Sequence, residues 1–298
     1  MPAAPSPHSA RSAATPRRAD AAHEFANTPP VPDNGGRIGG REGVVRIDEH
    51  IRELRANGDA LAGVAASLAP DVTVPTCPGW QVGDLVHHLG GVHRWATAFV
   101  STGRTTPIDE ASDLESYVGG WPPDAGLVSW FEQGHAALVA ALESAPDDLE
   151  CWSFLPAPSP RAFWARRQAH ETAIHRADAE AAAGTTPVFG AAFAADGVEE
   201  LLFGFGRRRG AGMRTQVERS LVLRATDLDA VWHVRLTPGD RGDVVTTRED
   251  GDAECAVSAP ASDLYLLLWN RRGVDGLGVE GSAEVLGLWR DQVQIRWN

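Results

Sequence analysis

Between positions 166 and 178 the chain reads Arg166-Arg167-Gln168-Ala169-His170-Glu171-Thr172-Ala173-Ile174-His175-Arg176-Ala177-Asp178. The run has no Gly or Pro and is rich in helix formers, which predicts a helix. On that helix Glu171 and His175 are four residues apart and project from one face, a turn apart. A carboxylate and an imidazole so placed can grip one divalent metal from a rigid backbone. Two ligands do not make a site, so a third has to come from elsewhere in the chain.

The best source is a second predicted helix, from about Val82 to Val100, with an apolar stripe of Leu85, Leu89, Val92, Trp95, Ala96 and Phe99. His88 falls inside that stripe. In projection His87 points to the opposite, solvent side and His93 lies off the stripe's edge. His88, Glu171 and His175 are therefore the candidate metal ligands and candidate catalytic residues. Two imidazoles and one carboxylate leave coordination positions open, as a catalytic metal requires. Each element alone has a plainer explanation: a histidine in an apolar stripe is usually a packed core residue, and a Glu/His pair at helical spacing is usually solvated. His170-Glu171 invites comparison with the zincin pattern, but the next histidine lies five residues beyond His170 and not four, so that reading is rejected. Arg176 and Asp178 can support the ligands from behind, bind an anionic substrate, or simply pair at the surface.

Four helices are needed to position these groups. The first starts at Ile47, with Ile51, Leu54, Leu61, Val64 and Leu68 at helical spacing. The loop Val74-Pro75-Thr76-Cys77-Pro78-Gly79-Trp80 stops it and sets up the second. A long loop over 101–126 could cover a site. The third helix runs from about Leu127 to Ser144, and the fourth from near Arg161 to about Ala183, ended by Gly184. Beyond a linker at 184–190 the pattern changes to a helix carrying Phe193, Val198, Leu201, Leu202 and Phe205, and then strand-like runs. These are Ser220–Ala225, Ala230–Leu236, Asp243–Thr247 and Ala253–Ser258, which read as a meander. Ser262-Asp263 reads as the N-cap of a further helix, and the end of the chain as strand, turn and helix. The expected fold class is α+β, with a helical bundle over 44–185 and a smaller α/β domain over 190–298. Residues 1–43, rich in Pro, Ala, Ser and Gly, read as a disordered tail or an untranslated extension before a start at Val44 or Val45.

Composition narrows the partners. A formal charge of −13 argues against a nucleic-acid groove or a polybasic membrane patch, leaving small molecules. Cys77, Cys151 and Cys255 are widely spaced and form no CxxC pair, which fits a reducing compartment. No apolar run is long enough to span a bilayer, and the N-terminus lacks the apolar core of an export signal, so the expected location is the cytoplasm. All 27 basic residues are Arg, a coding bias typical of GC-rich bacterial genomes.

The Val74–Trp80 loop followed by Asp84-Leu85-Val86-His87-His88-Leu89, and then His170-Glu171 through His175-Arg176-Ala177-Asp178, resembles the mycothiol-dependent maleylpyruvate isomerase family over roughly Ile47 to Asn298. The resemblance implies a DinB-like four-helix bundle followed by a smaller α/β domain, and a zinc ion (or another divalent metal) held by His88, Glu171 and His175. It also implies mycothiol, a thiol of actinobacteria, as cosubstrate. Its thiolate would add to a small electrophile, followed by bond rotation and thiolate expulsion in an isomerase or by release of the adduct in an S-transferase. A metal-dependent hydrolase and a non-catalytic binding bundle are the alternatives. Cys77, held between prolines, reads as a packing residue. Arg207, Arg208 and Arg209 read equally as anion contacts or as an exposed helix end.

Overall fold

The computed structural model describes residues 45–108, 118, 122–207 and 213–293. The expected tail over 1–43, residues 109–117 and 119–121 of the expected covering loop, and Arg208 and Arg209 lie outside the described residues. Four long helices come first: α1 (Ile47–Ala66), α2 (Val82–Thr102), α3 (Leu127–Ser144) and α4 (Pro160–Ala182). Three of the starts follow from local chemistry. Glu49 accepts from the Arg46 amide ahead of α1, and Asp84 accepts from the Gln81 amide ahead of α2, so first-turn carboxylates satisfy orphan amides. Ser159 caps α4 by accepting from the Ala162 amide, with Pro160 at the first helical position. At the other end Gly184 takes φ +77°, and the Thr185 amide returns to the Glu180 carbonyl.

The helices form a bundle in which α1 packs along α4 and α2 along α3. Helix α4 lies at its centre, with 15 of its 23 residues buried. That explains why its sequence shows so weak an apolar stripe: polar side chains occupy buried positions all round it. Its first turns are anchored in an aromatic cluster of Trp95, Phe99, Trp152, Phe154, Phe163 and Trp164, with the Trp164 indole donating to the Trp152 carbonyl.

After α4 come α5 (Ala191–Glu199), a π-helical turn (Glu200–Gly204) and a 3-10 turn (Phe205–Arg207). The strands are β1 (Met213–Thr215), β2 (Arg219–Ala225), β3 (Ala230–Leu236), β4 (Gly239–Gly242), β5 (Val244–Thr247), β6 (Cys255–Ala259) and β7 (Gly278–Gly281). Helix α6 (Ala261–Leu268) precedes β7, and α7 (Glu284–Gln292) follows it. The fold is α+β, a helical part followed by a strand-rich one. The main sheet has the order β5-β3-β2-β6-β7, with β6 parallel to β2. It is therefore not the simple meander expected: after β5 the chain crosses over β3 and β2 to add β6 on the far side. The expected Ser262-Asp263 cap also differs. Helix α6 starts at Ala261, whose amide donates to Asp227, while the Ser262 hydroxyl accepts from the Phe189 amide and Asp263 pairs with Arg272. One continuous apolar core runs from α1, α2 and α4 through α5, α6 and the sheet.

Candidate metal centre

The three predicted ligands come together. His88 on α2 and Glu171 and His175 on α4 each offer a donor atom, all within 4.8 Å of one another. His88 Nε2 lies 3.4 Å from Glu171 Oε1, and His175 Nε2 lies 3.3 Å from the same oxygen. The two imidazoles are edge-to-face at 5.0 Å. All three side chains are less than one-tenth exposed. The pair on α4 is thus buried within the bundle.

These separations test whether a cation fits. Charge-assisted N–H···O bonds close to about 2.7–2.9 Å. Donors held tetrahedrally around zinc at about 2.0–2.1 Å stand about 3.3–3.4 Å apart. The measured 3.3 and 3.4 Å match the second spacing. The donor set, two imidazole nitrogens and one carboxylate oxygen, is also that of a catalytic zinc site.

What surrounds the three fixes their direction. His175 Nδ1 is 2.9 Å from Asp178 Oδ2, so the carboxylate holds the proton there and turns Nε2 inward. Asp178 is fully buried and receives a two-pronged contact from Arg271 (2.9 and 2.8 Å) and the Thr76 hydroxyl at 2.5 Å. Glu171 turns its other oxygen, Oε2, to Arg167 at 2.9 Å. The indole of Trp80 lies 5.0 Å from the His88 ring and parallel to the His175 ring at 6.1 Å, walling one side.

Protonation follows from these contacts. Burial pushes His88 below the ordinary imidazole value, with Glu171 only partly offsetting it, which favours a neutral ligand. For Glu171 burial acts upward, but His175, His88 and Arg167 outweigh it and hold it well below the usual carboxylate range. Burial likewise opposes charge on His175, yet Asp178 and Glu171 raise it above 6.5. Asp178 is kept ionised, Arg271 and His175 overcoming its burial. The Cys77 thiol, pushed up to about 12 by burial and by Asp178, stays protonated. It also lies near His175 and Asp178, but the ring nitrogen and carboxylate there are already bonded to each other.

Residues 51–180 match the model of the mycothiol maleylpyruvate isomerase N-terminal domain, and residues 192–288 match the C-terminal domain model of the same family. The chain belongs to the mycothiol-dependent maleylpyruvate isomerase family. The family likeness extends to the fold. The crystal structure of the mycothiol-dependent maleylpyruvate isomerase is similar at a TM-score of 0.50 and 17% sequence identity, over 79% of this chain and 93% of that one. A structure of a histidine-to-alanine variant of that enzyme gives the same values. No curated protein matches the chain in sequence.

Against this family frame two expectations for α2 need correction. His87 is not on a solvent face: it is 7% exposed, packed by Trp130 and near the Pro122 carbonyl. His93 is fully buried, bonded to Thr172 of α4 and packed against Phe131 and His135. Helix α2 is covered from two sides, by α3 and α4, so the face opposite its apolar stripe is not a wet face. Arg167 and Arg271 escaped sequence reasoning as site residues, as did Thr76 and Trp80 beyond their place in the quoted loop. Asp178 is not in a surface pair: it is buried and bonded to His175, behind a candidate ligand.

Proposed function

We propose that the protein is a metal- and mycothiol-dependent enzyme that acts on a small electrophile, by isomerisation or by S-transfer, at a centre held by His88, Glu171 and His175. The observation that carries this is the shared Glu171 oxygen standing 3.3 and 3.4 Å from two inward-turned imidazoles, in a chain of this family. A bound divalent cation, zinc by its donor set, supplies a Lewis acid beside which a thiol gives up its proton near neutral pH.

The chain's own residues do the rest. Asp178 keeps the His175 proton on Nδ1 and Arg271 keeps Asp178 ionised, so the Nε2 lone pair stays available. Arg167 neutralises one oxygen of Glu171 and leaves the other facing the imidazoles. Trp80 shields the two rings from water on one side. The protein's own half-buried thiol does not compete as nucleophile, since Cys77 remains protonated at neutral pH. The division into a bundle over 44–185 and a second domain over 190–298 is part of this reading, supported by the break between the two matched models at 180 and 192. The reaction is placed in the cytoplasm, where mycothiol is kept reduced. No helix among the described residues is long and apolar enough to cross a membrane.

The test is turnover of maleylpyruvate by zinc-loaded protein, followed with and without mycothiol and with glutathione in its place. Conversion that requires mycothiol, or a mycothiol adduct of the electrophile found by mass spectrometry, supports the reading. Equal conversion without any thiol would point to hydrolysis or another metal chemistry and overturn it.

A further inference from the structure

Arg167 is buried and divided between two carboxylates. Its Nη2 donates to Glu171 Oε2 at 2.9 Å, and its Nη1 donates to Glu200. Both carboxylates are almost fully buried, and the guanidinium is flanked by the rings of Phe205 and Trp269. Among the described residues its Nε has no hydrogen-bond partner. A guanidinium facing a single carboxylate favours the two-pronged fork, both oxygens on two N–H groups. Here only Nη2 meets Glu171: Nη1 is held by Glu200, and Nε, the other half of such a fork, makes no hydrogen bond. Arg271 on Asp178 shows the alternative in the same molecule, with Nε on one oxygen and Nη2 on the other.

The residue that holds Nη1 comes from an unusual piece of backbone. Glu200 opens the π-helical turn that follows α5, and such turns redirect a side chain relative to an α-helical continuation. We infer that Glu200 is a positioning residue: by anchoring Nη1 it holds the guanidinium turned so that Nη2 alone meets Glu171, and so keeps Glu171 Oε1 facing His88 and His175 for a metal shared with them. The strand-rich half thereby sets the aim of a ligand on α4. With that anchor removed, the guanidinium turns to meet both oxygens of Glu171 and draws Oε1 away from the imidazoles.

This inference rests on the metal reading proposed above, and the experiment separates the two. Zinc affinity is measured by competition with a chromophoric chelator at pH 8, above the value of about 7 to which burial pushes the Glu200 carboxyl. The proteins are wild type, Glu200→Leu and Glu200→Gln, with Glu200→Leu repeated in an Arg167→Lys background. Glu200→Leu is expected to lower zinc affinity about tenfold, the lower end for a residue supporting a ligand. Glu200→Gln, which keeps the shape and an acceptor, loses less and covers the case that leucine is not tolerated. The lysine background discriminates, because an ammonium cannot form the fork. There Glu200→Leu is expected to cost less than about threefold, whereas a merely structural Glu200 would cost as much as before. The visible spectrum of the cobalt-loaded Glu200 variants should shift as Glu171 leaves the metal. Wild-type affinity and spectrum in both variants, or an undiminished loss in the lysine background, overturns the inference alone. Absence of metal binding by the wild type overturns the metal reading with it.

Discussion

Helix α4 carries two clusters of the same residue types, and their spacings differ. His170, one residue before Glu171, faces α1 and α5, where it meets His50 and Asp196. There the separations are 2.8 Å (His170 Nε2) and 2.9 Å (His50 Nε2), both to Asp196 Oδ2, and Arg166 Nε reaches the same oxygen at 2.9 Å. The shared oxygen is saturated by hydrogen bonds and a guanidinium already supplies the positive charge. This cluster is a strut that ties α1, α4 and α5 together. At His88, Glu171 and His175 the guanidinium of Arg167 instead sits on the oxygen the imidazoles do not share, and the shared one is left 3.3 and 3.4 Å from its neighbours. Two histidines and a carboxylate are therefore not a metal site by composition. What differs between the two clusters is which carboxylate oxygen the nearby arginine occupies.

The comparison can be broken most sharply by removing one residue from each cluster. His175→Ala is expected to lower zinc affinity on the order of a thousandfold, the share of one ligand in typical zinc binding energies, and to abolish turnover. Asp196→Asn is expected to leave zinc affinity within about twofold while costing about 2 kcal/mol of unfolding free energy, because it removes the charge that faces the partly buried Arg166 guanidinium. Chelator competition and urea denaturation on the same two proteins read both effects. A metal-binding loss in Asp196→Asn would erase the distinction between the clusters.

Asp178→Asn probes the support behind His175. It keeps the shape but no longer obliges Nδ1 to carry the proton, and zinc affinity should fall about 10- to 100-fold with little change in the far-ultraviolet spectrum. The smallest effect is in acid. Burial pushes Asp196 upward, but Arg166, His170 and His50 hold its folded-state pKa well below 3.8. A depressed carboxylate stabilises the fold above its unfolded value and loses that stabilisation as pH falls through the folded one. The stability gap between wild type and Asp196→Asn should therefore narrow as pH is lowered from about 5 to below 3. A gap that stays constant would show that Asp196 contributes through shape and not through its charge.

Much of this arrangement is legible in the sequence, for identifiable reasons. Glu171 and His175 share a face because four residues make a helical turn, and His88 falls within an apolar stripe. The four helices announce themselves by apolar spacing and by the prolines and glycines that bound them. Their supports do not. Arg271 reaches Asp178 across 93 positions and Glu200 reaches Arg167 across 33, contacts with no local periodicity to reveal them. The burial of His87 and His93 does not show in a helical projection with one wet side, because α2 is packed between two helices and carries a buried polar contact to Thr172. The parallel placement of β6 is invisible for a similar reason. Alternation marks a strand but not which edge of the sheet it joins.

The central claim is most directly tested by anomalous diffraction from crystals of the purified protein, recorded on both sides of the zinc absorption edge. The account predicts one strong peak bounded by His88 Nε2, Glu171 Oε1 and His175 Nε2, and none beside Asp196. A peak at Asp196, or zinc-soaked crystals with no peak between the three ligands, would contradict it.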